Sequence, residues 1–130
     1  MIVVDSSALL AIYLDEPEAD PFVDAIMSAD APSIGAPNFL EACLVADIRH
    51  GEAGTRELDR IVASLDLRVI AFDASHVQAA RDAFRRYGKG RHAAALNFGD
   101  CCAYALSKSL AQPLLFKGND FSRTDLTPAV

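Results

Sequence analysis

The sequence predicts an α/β fold, in which a central parallel sheet of four to five strands is flanked by helices on both sides. Short continuous apolar runs, such as residues 2–4, are typical of strands buried on both faces. The segments between these runs carry apolar residues at helical spacing. Because the two kinds of segment alternate, the strands are expected to be parallel with right-handed crossovers. A length of 130 residues with 52% hydrophobic residues suits a single domain over residues 1–130 with a sizeable core.

Each element follows from a local signal. Apolar or β-branched runs predict strands over 2–4, 33–36, 68–72 and 113–116, with a further short strand over 126–129. Apolar residues three or four positions apart predict helices over 6–14, 18–29, 37–50, 52–65, 74–87 and 98–110. Pro37 suits a first helical turn, Asp73 and Asn97 suit N-caps, and Gly88 ends a helix.

Two helices show apolar stripes that we expect to face inward. On the helix over 37–50 the stripe consists of Phe39, Leu40, Cys43, Leu44 and Ile48. On the helix over 74–87 it consists of Val77, Ala80, Phe84 and Tyr87.

Composition excludes several classes of protein. No apolar run approaches the roughly 20 residues that span a membrane, and the first residues do not resemble a secretory signal. The three cysteines cannot all pair with one another and include no CxxC spacing, which favours a reducing cytoplasm and disfavours zinc. A formal net charge of −6 argues against a protein that only coats nucleic acid. It is compatible with an acidic site that uses metal ions as its positive charge.

Four acids are predicted to converge at one edge of the sheet. Asp5 follows the first strand, and Asp120 follows the strand over 113–116. Glu41 lies one turn into its helix, and Asp100 lies three residues after the Asn97 cap of another helix that begins at the same edge. Sites in open parallel sheets form beyond the carboxyl ends of the strands. The order of strands and helices therefore brings distant acids together.

Such a cluster needs a compensating charge. Two like charges about 5 Å apart repel by about 3 kcal/mol at an effective dielectric constant near 20. Either some of the carboxyls are protonated or a cation binds between them. Oxygen ligands at a polar rim suit Mg²⁺ or Mn²⁺, with Asp5, Asp100 and Asp120 as candidate ligands. Carboxylate-bound divalent ions support phosphodiester hydrolysis, because they lower the pKa of a bound water and offset charge on the oxygens.

Each acid also has a purely structural explanation. Asp5 could cap the first helix, and Glu41 could be an ordinary exposed helix residue. Asp100 could form a capping box with Asn97. Asp120 could be a turn residue after Gly118. The catalytic interpretation of Asp5, Glu41, Asp100 and Asp120 therefore depends on all four acids together.

Three segments resemble the PIN domain, specifically the VapC-like toxins of bacterial toxin–antitoxin pairs. The opening MIVVDSSALLAIYLDEPEA resembles the start of that domain, and APNFLEACLV resembles its second acidic motif. A third segment resembles the third and fourth motifs of that domain; it reads GKGRHAAALNFGDCCAYALSKSLAQPLLFKGNDFSRTDL. The resemblance extends from residue 1 to about 126.

The resemblance implies a single PIN-like domain with Mg²⁺- or Mn²⁺-dependent endoribonuclease activity. Asp5, Glu41 and Asp100 would be the metal-binding acids, and Asp120 the fourth acidic position. It also implies homodimers, a cognate VapB-like antitoxin that blocks the acidic cleft, and assembly with it as a heterotetramer or hetero-octamer. Many relatives carry an acid where this chain has Asn119, which bears on the number of metals bound.

Several further residues are candidates for supporting roles. The hydroxyl of Ser6 and the amides of Asn97 and Asn119 could orient carboxylates or waters, or could simply start helices and turns. Lys117, Arg91 and His92 are candidate RNA contacts, although a solvated lysine and a packed loop are the alternatives. Basic residues crowd one stretch of the chain, namely Arg85, Arg86, Lys89, Arg91 and His92.

The antitoxin also has a candidate docking surface. The helices over 18–29 and 37–65 carry more apolar residues than a thin sheet needs to bury, so a groove between them could hold a partner helix. These residues are Phe22, Ile26, Phe39, Leu40, Leu44, Leu58 and Ile61. Burial of all of them in the core is the alternative.

Two other functions remain open on the residues alone. An aspartyl-phosphate phosphotransferase also places an aspartate after its first strand, but usually carries a second acid two residues later, where this chain has Ser7. A catalytically silent binding module would act only by pairing with its partner, and loss of one of the acids would favour it.

Overall fold

The computed structural model describes residues 1–130 and shows a four-stranded parallel sheet. The strands are β1 (Ile2–Val4), β2 (Pro32–Gly35), β3 (Arg68–Ile70) and β4 (Leu114–Leu115). Their order is β3-β2-β1-β4, and all three neighbouring pairs are parallel. The predicted α/β fold is therefore confirmed, with four strands.

Five helices connect the strands. They are α1 (Ser6–Tyr13), α2 (Ala19–Met27), α3 (Ala36–Ser64), α4 (Ala74–Tyr87) and α5 (Phe98–Leu110). The two helices predicted over 37–50 and 52–65 form the single element α3, which is kinked at Gly51 with φ 64° and ψ −152°. Glycine adopts that backbone conformation without a Cβ clash, so the break falls at the predicted residue. None of the five helices is both long and apolar enough to cross a membrane.

The strand predicted over 126–129 does not form. This segment runs beside β4 through a single bridge between Leu114 and Pro128. The Leu114 amide donates to the Thr127 carbonyl at 3.0 Å, and the Ala129 amide donates to the Leu114 carbonyl at 2.9 Å. Pro128 has no amide hydrogen, so it cannot continue a ladder of hydrogen bonds.

Helices cover both faces of the sheet, because neighbouring residues of each strand point into different cores. Ile2 and Val4 of β1 pack into a core with residues of α1, α2 and α3. Val3, between them, packs into a second core with residues of α4 and α5. Val3 and Val4 are both fully buried. The central strand therefore reads as a continuous apolar run, as expected for a sheet buried on both faces.

The stripe predicted to face inward on the first half of α3 was largely wrong. Its buried residues are Asn38, Ala42 and Ala46, with Phe39 and Cys43 half-buried. Leu40, Leu44 and Ile48 are instead 57%, 55% and 83% exposed. The short alanine side chains allow α3 to lie close against the core, which turns the larger residues outward.

The stripe predicted on α4 faces inward only in part: Tyr87 is buried and Ala80 packs half-buried against the core. Val77 and Phe84 are exposed, whereas Ala83 and Tyr87 are buried in the core. Two buried residues of α2, Phe22 and Ile26, and one of α3, Leu58, belong to the core as well, so they cannot form the predicted docking groove.

Candidate active site

Asp5 lies at the carboxyl end of the central strand and caps α1. Its Oδ2 accepts hydrogen bonds from the Ser7 amide at 3.1 Å and from the Ser7 hydroxyl at 2.6 Å. The Ser7 hydroxyl in turn accepts from the Lys117 amide at 3.0 Å, which ties the end of β4 to the same place. Asp5 is buried, and its Oδ1 remains free of these capping bonds.

Asp100 lies in the first turn of α5 and forms the predicted capping box with Asn97. The Asp100 amide donates to Asn97 Oδ1 at 2.9 Å, and the Asn97 amide donates to Asp100 Oδ2 at 3.0 Å. Both aspartates thus perform the structural role that was the alternative to catalysis. In each aspartate the capping hydrogen bonds use Oδ2 only. The other oxygen makes no capping bond, so the structural and catalytic explanations are compatible.

Glu41 reaches across from α3 to the starts of two other helices. Its Oε1 accepts a short hydrogen bond from the Ser6 hydroxyl. A Cβ built on Gly99 would lie only 2.7 Å from Glu41 Oε1 and 2.8 Å from Oε2. The carboxylate therefore occupies the space left by the missing side chain of Gly99 in the first turn of α5.

Asn38 is a site residue that the sequence reasoning missed. It is 1% exposed, and its Nδ2 donates to the Gly99 carbonyl at 2.9 Å and lies 3.5 Å from Asp5 Oδ1. Asn38 therefore joins the end of β1 to the start of α5. A signal was present, because Asn38 and Glu41 are three positions apart and so share a face of α3.

The electrostatics show that the four acids interact. Burial raises the pKa of Asp5 to about 6, with hydrogen bonds from Ser7 opposing and repulsion from Glu41 adding. Burial likewise raises the pKa of Asp100 to about 7, and repulsion from Asp120 and Asp5 adds to it. Asp5, Glu41, Asp100 and Asp120 come from four separate segments, and the fold brings them together at the edge predicted from the sequence.

The other predicted residues divide into two groups. Ser6 and Asn97 bond directly to acids of the cluster. No side-chain hydrogen bond or salt bridge joins Asn119, Lys117 or His92 to those acids. The Asn119 carbonyl accepts from the Ser122 hydroxyl within a turn. Lys117 Nζ lies 2.9 Å from Glu16 Oε2 and 3.6 Å from Glu18 Oε2, so its charge is already paired.

His92 and Arg91 lie in the loop before α5. His92 Nδ1 accepts from the Ala94 amide at 3.0 Å, and its ring packs edge-on against Tyr87. This is the loop packing that was the alternative to RNA contact. Arg91 places its guanidinium 5.2 Å from the centre of the Phe84 ring.

The acids offer ligands in pairs and do not form a complete metal cage. No group of three His, Cys, Asp or Glu side chains is arranged to hold a metal ion by itself. Mg²⁺ in proteins is commonly held by one or two carboxylates, with waters and substrate phosphates filling the other positions. The hard oxygen donors of Asp5 and Asp100, whose pKa values are raised by burial first and by neighbouring acids second, fit such an ion.

The raised pKa of Asp5 predicts how stability depends on pH without metal. The folded chain favours the protonated carboxyl, so the free energy of unfolding should decrease as pH rises from about 4 to above 6. For Asp5 alone the decrease amounts to about 3 kcal/mol across that range. Denaturant unfolding in EDTA at several pH values measures it, and Asp5→Asn should flatten the curve. A variant curve as steep as that of the wild type would contradict the assignment.

Comparison with known proteins places this architecture in a family. The sequence model of the PIN-domain family matches residues 2–126 of this chain. The chain is 46% identical over 125 residues to Ribonuclease VapC of Mycolicibacterium smegmatis, which covers 96% of this chain and 97% of that protein. This chain therefore belongs to the PIN-domain family. Within that family, the relatives it resembles in sequence are VapC ribonucleases.

Solved structures support the fold assignment. VapC20 of Mycobacterium tuberculosis, a sarcin–ricin loop cleaving toxin, superposes with a TM-score of 0.77 at 18% identity, covering 98% of this chain and 97% of that one. A chain of a toxin–antitoxin complex from Klebsiella pneumoniae gives a TM-score of 0.73 at 17% identity, covering 96% of this chain and 93% of that one.

Proposed function

We propose that this protein is the toxin of a type II toxin–antitoxin pair and acts as a Mg²⁺- or Mn²⁺-dependent endoribonuclease. The observation that carries the proposal is the convergence of Asp5, Glu41, Asp100 and Asp120 on the edge of a PIN-domain sheet. The 46% identity to Ribonuclease VapC of Mycolicibacterium smegmatis supports RNA as the substrate.

Asp5 and Asp100 would hold the metal, with Asp120 as a further ligand from the turn after β4. When bound, the ion supplies activation of the attacking water and neutralisation of charge on the scissile phosphate. Asp5 and Asp100 are fixed by their Oδ2 bonds to Ser7 and Asn97, so each carboxylate presents its other oxygen without reorientation. Preorganised ligands of this kind reduce the free energy needed to assemble the site.

The remaining residues of the site hold the acidic side chains in fixed positions. The Ser6 hydroxyl fixes Glu41 Oε1, and both carboxylate oxygens lie against Gly99 in the first turn of α5. Asn38 links Asp5 to the backbone of Gly99 and so keeps β1 and α5 at a constant separation. No side chain forms a covalent bond to the substrate in this mechanism, because water is the nucleophile.

The phosphotransferase alternative fits the structure less well. Ser7, at the position where a phosphotransferase usually carries its second acid, donates both hydrogen bonds that Asp5 Oδ2 accepts. The alternative of a silent binding module predicts that at least one acid is lost or misplaced, and all four are present and interacting.

A VapB-like antitoxin is the proposed partner, consistent with the toxin–antitoxin complex from Klebsiella pneumoniae that shares this fold. Of the predicted docking residues, Leu40 and Leu44 are exposed, and together with Ile48, which was not among them, they form an exposed apolar stripe on α3 that we propose as the docking surface. A homodimer, assembly with the antitoxin as a heterotetramer or hetero-octamer, and a cytoplasmic location are parts of the same proposal.

RNA cleavage by the purified protein tests the function. We expect cleavage of cellular RNA with Mg²⁺ or Mn²⁺, complete loss in EDTA and recovery when the metal is restored. Mapping new RNA ends after brief expression, against the Asp5→Asn protein, identifies the cleaved sites. Covalent labelling of Asp5 by a phosphate mimic, without cleavage, would instead support the phosphotransferase.

A further inference from the structure

Asp120 is the one acid of the cluster whose side chain accepts no hydrogen bond from a hydroxyl or an amide, whereas the other three each accept at least one. It is also exposed. After burial, which is the larger cause, repulsion from Asp120 helps to raise the pKa of Asp100, so the two carboxyls are neighbours. The place of Asp120 beside Asp100 therefore depends on the backbone that carries it. We call that segment, residues 117–125, the Asp120 loop.

The Asp120 loop is fixed at its start and in its middle. At its start, the Lys117 amide donates to the Ser7 hydroxyl at 3.0 Å. In its middle, Phe121 is 2% exposed, and its ring packs against the Phe116 ring with 5.2 Å between their centroids. Phe121 pins the loop at the residue next to Asp120, but one buried side chain leaves the backbone free to turn about it. The direction in which Asp120 points therefore also depends on how the end of the loop is held.

Three side chains converge on Asp125 at the end of the loop. The Tyr104 hydroxyl donates to Asp125 Oδ1 at 2.7 Å, and Lys108 Nζ lies 2.7 Å from Asp125 Oδ2. The Arg86 guanidinium lies 3.7 Å from the same Oδ2 and donates to the Tyr104 hydroxyl at 3.4 Å. We call these four residues the Asp125 clamp. Because Arg86 belongs to α4 and the other two partners to α5, the clamp joins the loop to both helices.

The clamp holds an ionised carboxylate. Burial raises the pKa of Asp125, but hydrogen bonds from Lys108 and Tyr104 lower it by more, so that the pKa lies below its usual range. Burial raises the pKa of Tyr104, and the hydrogen bond to Asp125 raises it further, so Tyr104 stays a donor. Hydrogen bonds to an ionised group are stronger than neutral ones, and a network of charges holds better than an isolated surface pair.

The clamp and the acidic cluster lie on the same face of α5. Asp100, Tyr104 and Lys108 follow one another at intervals of four residues, so they are neighbours along that face. Asp120 lies beside Asp100, and Asp125 lies beside Tyr104 and Lys108. The Asp120 loop therefore runs along α5. Its attachment to the later turns of the helix fixes how it meets the first turn.

We propose that Asp125 is a positioning residue, which holds the Asp120 loop along α5 and so keeps Asp120 beside Asp100, where both can bind the same divalent ion. The inference rests on the proposed function, because it concerns how one of the proposed metal ligands is held. Asp125 is not itself a ligand, since both of its oxygens are bonded within the clamp.

Calorimetric titration with Mn²⁺ measures the effect on the metal. Asp125→Ala should weaken Mn²⁺ binding by about tenfold, as loss of a group that orients a metal ligand typically does. Lys108→Gln should weaken it by less, and Lys108→Arg should keep the wild-type affinity because its charge still reaches Asp125. The matched control is Arg60→Gln, which removes the same charge from an exposed ion pair with Glu57 on α3 and should leave the affinity unchanged.

Two further measurements separate positioning from a general loss of structure. In an Asp120→Asn background, Asp125→Ala should cause no further weakening, because the ligand that it positions is already gone. Amide hydrogen exchange in EDTA should be faster over residues 117–126 in Lys108→Gln, and unchanged in Arg60→Gln. Since the Lys108 side chain is 41% exposed, Lys108→Gln tests the clamp even where Asp125→Ala does not fold.

Wild-type Mn²⁺ affinity in Lys108→Gln and in folded Asp125→Ala would overturn the positioning role. Hydrogen exchange over residues 117–126 that Lys108→Gln leaves unchanged would do so as well. So would an equal loss from Asp125→Ala with and without Asp120→Asn, because the clamp would then act on the whole site. In these cases the wild type still binds Mn²⁺, so the proposed function survives. A wild type that binds no Mn²⁺ would instead overturn the proposed function, and the positioning role with it.

Discussion

Asp5→Asn is expected to reduce RNA cleavage by roughly 1,000-fold or more while the protein stays folded, because the substitution removes a charged metal ligand from a preorganised site. An asparagine oxygen can still accept the hydrogen bonds from the Ser7 amide and hydroxyl, so α1 keeps its cap. Without metal, the variant should be at least as stable as the wild type, since the cost of burying a carboxylate and the smaller repulsion from Glu41 are both removed. Cleavage of a labelled RNA and thermal unfolding measure the two effects.

Asp73→Asn is the matched control for this substitution. Asp73 caps α4 in the same way, since its Oδ1 accepts from the Ser75 amide at 2.9 Å and from the Ser75 hydroxyl at 2.5 Å. It does not belong to the acidic cluster, so Asp73→Asn should cleave RNA at the wild-type rate. Equal loss in both variants would show that capping, and not metal binding, underlies the effect. Full activity of Asp5→Asn would refute the site.

Gly99→Ala is expected to reduce cleavage by roughly 100-fold, because misplacing a catalytic group by about 1 Å has an effect of that size. The added Cβ would lie 2.7 Å from Glu41 Oε1, so the carboxylate must move away from the first turn of α5. Folding should be little affected or slightly improved, since alanine loses less conformational entropy than glycine in a helix. Rate measurements combined with thermal unfolding separate the two consequences.

A double-mutant cycle with Glu41→Gln identifies the cause. If Gly99→Ala acts by displacing the carboxylate, it should add little to the loss already produced by Glu41→Gln. Losses that multiply would show that Gly99→Ala acts by another route, for example through the Asn38 bond to the Gly99 carbonyl.

The sheet and the position of the acids could be predicted because both follow from simple rules. Buried parallel strands read as continuous apolar runs, and the carboxyl ends of such strands share an edge. Asp5 comes directly after β1, and Asp100 lies three residues after its N-cap, so topology alone brings them together. The cap signals at Asp73 and Asn97 also placed the starts of α4 and α5 correctly.

Helix orientation could not be predicted in the same way, because several helices have two apolar faces. On α3 the alanines pack inward and Leu40, Leu44 and Ile48 face solvent, although size alone favours the opposite arrangement. Apolar periodicity identifies a stripe but does not say whether the core or a partner covers it. The spacing of Asn38 from Glu41 places both on one face of α3, but the contact of Asn38 with Gly99, 61 positions away, does not follow from any local pattern.

Calorimetric titration with Mn²⁺ tests the central claim most directly, namely that the clustered acids hold a divalent ion. The wild type and Asp73→Asn should bind Mn²⁺ with the same affinity, and binding should weaken as pH falls below about 7, where Asp100 becomes protonated. Asp5→Asn and Asp100→Asn should lose this binding while remaining folded. Unchanged Mn²⁺ affinity in both aspartate variants would contradict the account.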